Sequence, residues 1–246
     1  MLLQLELSNK YEVRKEHYIY KSIKAAKKSG LALFLFICLT FIFNPLNSRA
    51  DRSVKVLKPT TDSIINLGSP DIKLLQQAIL VSINNFRIEN NVDALVWSDT
   101  LYKSAAFHLS SMNTRKFFDH CDPDDKAYPD LLKRVRSCSG QYSCLSENLI
   151  QYFPFKFKGK RIEYSIKKAK TKYQYLDPVT LKPLQVLTYG QLADQIVKQW
   201  AASPPHKINM LNAKNYRVGI AVNFPKYFTE PNISPVTVVS NFGSCN

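Results

Sequence analysis

Two histidines and one glutamate are the side chains of this sequence best suited to chemistry. His120 follows two phenylalanines and an aspartate, Glu147 interrupts an apolar stretch, and His206 follows a serine and two prolines. A carboxylate is costly to bury alone, so Glu147 is expected to be exposed, paired or functional. Imidazole nitrogens bind divalent metals and exchange protons near neutral pH. His206 is therefore a plausible ligand or base.

If these three side chains meet in the folded protein, they admit several functions. Glu147 could orient one imidazole without any metal, leaving a polar, pH-sensitive pocket, or it could form a purely structural pair with His120. A metal-bound water with Glu147 as base would make a hydrolase, and Ser203 could act as a nucleophile beside His206. Two imidazoles are too few for a catalytic zinc site, and Ser203 suits a helix cap better. No residue is assigned to catalysis, and a binding function is favoured over an enzyme.

The helices around His206 are predicted from local pattern. Apolar residues recur every four positions, at Leu192, Ile196 and Trp200, which is typical of one buried helical face. Thr188 and Gln191 have the spacing of a capping box at its start. Ser203 before a proline predicts a second helix, with His206 in its first turn.

The remaining elements follow from the same reasoning. A helix is predicted from Ser69-Pro70-Asp71, with Ser69 as its cap, and another from Ser98, in which His108 is interpreted as a packing residue. A short helix is expected near 131–135. Two antiparallel strands are predicted at 217–224 and 235–242, where apolar and β-branched residues alternate or run together.

The first fifty residues resemble an export signal. An apolar run at 31–43 follows two lysines and is short for a bilayer span. Small residues at Ser48 and Ala50 predict cleavage after Ala50; an uncleaved membrane anchor is the alternative. Either way the domain is expected to be secreted or to face outward. Residues 51–68 are predicted to be a linker and residues 69–246 a single domain.

Cysteine usage agrees with an exported protein. Outside the apolar run, four cysteines remain: Cys121, Cys138, Cys144 and Cys245. Four cysteines allow three pairings. The preferred one is Cys138–Cys144, which closes a local loop, with Cys121–Cys245. A site with four zinc-bound thiolates is the alternative, but no close C-x-x-C pair is present.

The net charge of the chain indicates which classes of partner to expect. The chain has a formal charge of +15, and residues 51–246 hold 26 basic and 16 acidic residues, a net +10. This suits an anionic cell-surface polymer or membrane surface. Nucleic acid is not expected as a partner, because no recognisable binding module is present. Residues 153–187 are interpreted as an inserted basic hairpin on the surface, with a solvated loop as the alternative.

Three motifs in order carry a family resemblance: FFDH at 117–120, SENL at 146–149 and WAASPPH at 200–206. With Asn85, Arg87, Asn209 and Asn241, they resemble the CAP superfamily of cysteine-rich secretory, antigen 5 and pathogenesis-related proteins, and within it the bacterial SCP-like extracellular domains. The resemblance spans about 71–245, apart from the insertion.

The resemblance implies an α+β fold, a three-layer α-β-α sandwich with a small antiparallel sheet between helical layers. It also implies a cleft lined by His120, Glu147 and His206, which would bind a small molecule, a lipid or an extracellular polymer. His120 and His206 are then candidate ligands of a divalent metal, and zinc is the candidate metal. A further acidic position of many family members is Ser203 here. A metal-assisted hydrolase acting on cell-envelope or peptide substrates and a basic surface-adhesion module are the alternatives.

Overall fold

The computed structural model describes residues 61–138, 142–157, 162–169, 172–229 and 231–245, with the backbone alone for Ser143, Ala169 and Cys245. The predicted export signal and its cleavage site lie outside the described residues. The elements of the described part are α1 (Ile72–Glu89), β1 (Val96–Trp97), α2 (Asp99–Arg115), α3 (Leu131–Ser137), β2 (Tyr142–Tyr152), β3 (Phe155–Lys156), β4 (Ser165–Ala169), β5 (Lys172–Leu176), β6 (Gln185–Val186), α4 (Tyr189–Ala202), α5 (Pro204–Leu211), β7 (Arg217–Asn223) and β8 (Val236–Cys245).

The described part of the predicted linker belongs to the folded domain. Ile65 and Leu67 are buried in the main hydrophobic core. The Ile65 amide donates to the carbonyl of Leu187 at 3.1 Å. Residues 61–68 are therefore not a linker, because their two alternate apolar side chains give this segment a face to bury.

Side-chain caps begin the long helices. Ser98 caps α2, and Thr188 and Gln191 form the predicted capping box of α4. The start of α1 differs from the prediction, since the cap is Asp71 and not Ser69. The Asp71 carboxylate accepts from the Leu74 amide at 2.9 Å, and a carboxylate also interacts favourably with the positive end of the helix dipole.

A four-stranded sheet, in the order β1-β7-β8-β2, lies at the centre. The predicted antiparallel pairing of β7 and β8 is confirmed, and β2 pairs antiparallel with the other side of β8. At the far edge, β1 pairs parallel with β7. Two residues are too few to show an alternating pattern, so this strand could not be predicted.

Successive side chains of β7 point into two different hydrophobic clusters, one on each face of the sheet. Val218, Ile220 and Val222 pack in the larger cluster, which includes buried residues of α1 and α4. Ala221 points to the opposite face and packs with residues of α2. The sheet therefore lies between helical layers, and the predicted α+β sandwich is confirmed.

Gly219 in β7 touches the backbone of α2. A Cβ atom at this position would lie 2.0 Å from the Tyr102 amide nitrogen and 2.3 Å from the Leu101 carbonyl carbon. Neither backbone atom can move without displacing the helix. The absence of a side chain at Gly219 therefore sets how closely α2 approaches the sheet.

Residues 153–187 are more integrated than a surface hairpin. A hairpin is present, but its strands are β4 and β5, earlier than the pattern around Asp177 suggested. Asp177 instead accepts from the amides of Val179 and Thr180 in a turn. Phe155 and Tyr175 are buried in the main core, because the short pair β3–β6 ties both ends of the segment together.

The structure does not contain the predicted disulfides. Cys121, Cys138 and Cys144 are free thiols. Cys138 ends α3, whereas Cys144 lies at an irregularity of β2 between Ser143 and Ser146 and has a left-handed φ of 53°. The two cysteines therefore belong to different elements of the fold.

None of the helices in the described part of the chain combines the length and the hydropathy that a membrane span requires.

Candidate ligand-binding cleft

The site is built on the outer edge of β2. Because β2 is the last strand of the sheet, some of its backbone carbonyls have no neighbouring strand. Trp200 of α4 donates its indole N–H to the carbonyl of Leu149 at 3.2 Å. Asn209 of α5 donates to the carbonyl of Glu147 at 3.2 Å. Two helices are thereby fixed against the strand that carries Glu147.

Glu147 and Asn148, consecutive in β2, point to the helical layers on opposite faces of the sheet. Glu147 points toward the layer of α2 and α3, whereas Asn148 donates its side-chain amide to the backbone carbonyl of His206, at 3.1 Å, in the other layer. This follows from the alternation of side chains along a strand. An edge strand lets elements of both layers meet around it.

Glu147 is buried and fully engaged. Its side chain is 3% exposed, and Oε2 accepts from Arg134 Nη2 at 2.9 Å. Oε1 lies 3.0 Å from His120 Nδ1. The Asn241 side-chain amide is oriented so that both its nitrogen and its oxygen have partners. Its nitrogen donates to Glu147 Oε2 at 2.9 Å, and its oxygen accepts from the Ser104 hydroxyl and the Ala105 amide. A carboxylate held by three donors is fixed in position.

His120 links this buried network to solvent. Its side chain is 53% exposed. The hydrogen bond to Glu147 raises the pKa of His120 above its usual value, by favouring the charged imidazolium. In the neutral form, Nδ1 keeps its hydrogen for Glu147. The Nε2 lone pair is then available to a ligand.

His108 lies behind Glu147 and is fully buried. Its Nε2 lies 2.8 Å from the carbonyl oxygen of Asp119 and 3.8 Å from Glu147 Oε1. Burial lowers the pKa of His108, so the ring is neutral at pH 7 and donates from Nε2 to Asp119. Its packing role agrees with the sequence interpretation. It also anchors the loop that carries His120.

His206 approaches from α5. It lies in the first turn, as predicted, and its side chain is half-buried. Burial lowers the pKa of His206, and the positive charge of His120 lowers it further. The charge of His120 therefore reaches the His206 ring. That both imidazoles line one cleft with Glu147 stays a prediction.

Ser203 takes the structural position expected of it. It lies at the junction of α4 and α5 as the residue before the first turn of α5. No hydrogen bond joins its hydroxyl to His206 within the described residues. The geometry of a serine activated by a histidine is absent from this pair.

The donor set only partly fits a zinc ion. His120 Nε2 and His206 could bind a divalent cation, with Glu147 orienting His120 through Nδ1, as carboxylates do behind metal-bound histidines. Glu147 itself is engaged by Arg134 and is not open as a ligand. No group of three or more His, Cys, Asp or Glu side chains arranged for metal occurs in the described part of the chain. The residues do not fit a catalytic zinc site, which needs three protein ligands.

Sequence reasoning missed the buried partners of the site. Arg134 is fully buried, yet it lies among exposed basic residues of a short helix and resembles them in sequence. Its role could have been suspected only from the need of Glu147 for a counter-ion. Asn241 is one of the residues that carry the family resemblance. Its contact with Glu147 depends on the register of β8 with β2, which the sequence does not show.

A family model and several solved structures are similar to this chain. The sequence profile of the "CAP: Cysteine-rich secretory protein family" matches residues 80–242. No curated protein matches the chain. Among solved structures, similarity is found to an outer surface protein of Borrelia burgdorferi, with 16% identity, a TM-score of 0.47, and coverage of 72% of this chain and 96% of that one.

Two further bacterial structures are similar. One is an extracellular protein of Bacillus anthracis containing an SCP domain, with 17% identity, a TM-score of 0.43, and coverage of 69% of this chain and 40% of that one. The other is a cysteine-rich secretory protein of Staphylococcus aureus, with 12% identity, a TM-score of 0.43, and coverage of 71% and 39%. Because the profile covers well over half of the sequence, the chain belongs to the CAP, or cysteine-rich secretory protein, family.

Proposed function

We propose that this protein is an exported binding protein whose cleft, formed by His120, Glu147 and His206, accepts a small molecule, a lipid or an extracellular polymer. One observation carries this proposal: Glu147 is engaged by Arg134 and by His120 Nδ1. The carboxylate therefore acts as a fixed support. It holds an exposed imidazole ready to bind a ligand at low cost in conformational entropy.

The same observation argues for binding over hydrolysis. A general base must accept a proton from an attacking water. Glu147 is 3% exposed, and both of its oxygens already accept hydrogen bonds. Using it as a base would break the ion pair with a buried arginine. His120 and His206 remain as ligand-binding groups.

Export is proposed from the sequence and from the relatives. The apolar run at 31–43 has the length and flanking charge of a secretory signal. The names of the similar structures describe an outer surface protein and an extracellular protein. The high positive charge would then favour residence near anionic surfaces, where the cleft would meet its ligand.

Native mass spectrometry of the purified protein tests the binding proposal. The wild type, without and with added zinc, is compared with His120→Ala/His206→Ala and with a control, Lys198→Ala, on an exposed face of α4. An organic ligand that co-purifies with wild type and control, and is lost from the double variant, is expected. Added zinc held only with that ligand would assign the metal as a bridge.

Three other outcomes would contradict the binding proposal. Zinc retained by the wild type without any ligand, together with hydrolysis of an ester or peptide substrate, would replace the binding proposal with an enzyme. Identical spectra for all three proteins would leave the histidines as structural residues. Binding that is unaffected by the double variant but lost at 0.5 M salt (about a 4 Å Debye length) would favour the adhesion module.

A further inference from the structure

A second cavity lies along β2, beyond the histidine cleft. It has a volume of about 780 Å³, within the range of roughly 300–1,000 Å³ that ligand pockets occupy. Its walls are the end of β2, the segment 153–157, and one face of α4. Ile162 of the inserted segment closes another side. None of His120, Glu147 and His206 lines it.

One wall is aromatic. Phe153, Phe155 and Phe157 alternate along an extended segment, and all three line the cavity. Phe155 is buried, whereas Phe153 and Phe157 are half-buried. The Phe153 and Phe157 rings meet edge to face, with centroids 5.9 Å apart and an interplanar angle of 90°. This contact orders the rings before a ligand arrives.

A second group of lining residues carries side-chain amides. Gln191, Gln195 and Gln199 lie four residues apart, so they follow one face of α4. Gln191 Oε1 accepts from the Thr188 amide in the capping box, which leaves its amide hydrogens to donate. Gln195 Oε1 accepts a long, 3.5 Å hydrogen bond from the Tyr152 hydroxyl.

Further amides complete the polar wall. Gln151 projects from β2 into the same cavity. Within the described part of the chain, neither Gln151 nor Gln199 has a side-chain hydrogen bond. Each amide can donate two hydrogen bonds and accept others. Four neutral amides and the three phenylalanine rings thus line one cavity.

The polarity of the described lining disfavours an acyl chain. Lys156 is the one charged side chain among the described lining residues, and it is exposed at the rim. A buried acyl chain would strip water from the four amides without replacing their hydrogen bonds, which is unfavourable.

We propose that this cavity binds an oligosaccharide of pyranose units. A pyranose ring has apolar C–H faces that can stack on the Phe153 and Phe157 rings. Its hydroxyls point outward around the edge and can both donate to and accept from the glutamine amides. Lys156 at the rim would favour a sugar that carries a carboxylate. The site is independent of the histidine cleft.

Isothermal titration calorimetry of the full chain with defined sugars tests this inference. The probes are cellotriose, tri-N-acetylchitotriose and a hyaluronan tetrasaccharide, which carries uronate groups. Saturable binding of at least one probe is expected, weakened at least tenfold in Gln195→Ala/Gln199→Ala. Alanine at these half-buried and exposed helix positions preserves the fold. A preference for the uronate probe that disappears in Lys156→Ala would identify an acidic sugar.

Two controls separate this site from the histidine cleft. Lys198→Ala, on the same helix but outside the cavity, is expected to bind sugars as the wild type does. His120→Ala/His206→Ala is also expected to retain sugar binding, even if it loses the cleft ligand. Absence of saturable binding to all three sugars would overturn the inference. So would sugar binding that is unchanged in the glutamine variant, or displacement of the sugar by palmitate.

Discussion

Arg134 and Glu147 form a buried ion pair beside His120. Arg134 Nη2 lies 2.9 Å from Glu147 Oε2, and the two side chains are 0% and 3% exposed. The arginine also donates to the carbonyl of His120 at 3.2 Å. One residue therefore neutralises the glutamate and fixes the loop that carries the histidine.

Glu147→Gln is expected to destabilise the protein by about 3–5 kcal/mol, because it leaves the charge of Arg134 buried and uncompensated. The measurement is urea unfolding followed by circular dichroism. In an Arg134→Met background, the same substitution is expected to cost much less. An equal cost in both backgrounds would show that the ion pair is not the source of the loss. A loss of activity in Glu147→Gln would not by itself identify a catalytic base.

Arg87→Lys is expected to cost about 3 kcal/mol, although the charge is preserved. Arg87 is 1% exposed, and its guanidinium donates to the carbonyls of Asp93, at 2.6 Å, and Asn215, at 2.9 Å. It also donates to the carbonyls of Met210, in the last turn of α5, and Asn212, just after that helix. A lysine ammonium lacks this planar fork and would leave buried acceptors without donors. Equilibrium unfolding in urea measures the cost. Lys73→Arg on the exposed face of α1 serves as the matched control and is expected to be neutral.

Gly219→Ala is expected to be more damaging than an ordinary Gly→Ala change in a strand. The added Cβ would lie within 2.3 Å of two backbone atoms of α2, so the helix must move from the sheet. We expect a loss of about 2 kcal/mol or more, similar to overpacking in a core. Thermal unfolding monitors it, with Gly68→Ala as control, where the nearest atom would be 3.5 Å away. Equal melting temperatures for the two variants would contradict this close approach.

His108→Gln is expected to reduce the acid sensitivity of the fold. Burial lowers the pKa of His108 below 6.5. The unfolded chain therefore takes up a proton near pH 6.5 before the folded protein does, and stability falls as pH drops from 6.5 through the folded pKa. Glutamine can still donate to the Asp119 carbonyl and does not titrate.

Unfolding free energies of His108→Gln and wild type at pH 7.5, 6.5 and 5.5 test this. The two curves are expected to converge as the pH falls. The pKa of His120 is raised, so this residue changes stability with pH in the opposite direction. Its contribution to the free energy of unfolding is fully present below pH 6.5 and is lost as pH rises through its folded pKa. His120 is present in both proteins, and so is His206, whose pKa is lowered. Their effects cancel in the comparison, and parallel curves would show that His108 does not contribute.

Local pattern in the sequence was sufficient for the elements that carry the site. The four-residue spacing before His206 and the Thr188–Gln191 box predicted α4 correctly. Ser98 correctly marked the start of α2. These predictions succeeded because the buried face of a helix and its terminal hydrogen bonds involve residues a few positions apart. The FFDH and SENL motifs likewise led to His120 and Glu147, which the structure brings within 3.0 Å.

The features that the sequence did not predict depend on contacts between segments far apart in the chain. The sequence alone could not show that Arg134, and not solvent, compensates Glu147, or that residues 61–68 pack on the domain. Nor could it show that the inserted segment contributes to an aromatic cavity beside four glutamines. Burial, counter-ions and edge-strand hydrogen bonds depend on which segments become neighbours in space. A side chain such as Arg134 has the same local pattern whether it faces water or a buried carboxylate, so only the tertiary structure distinguishes the two.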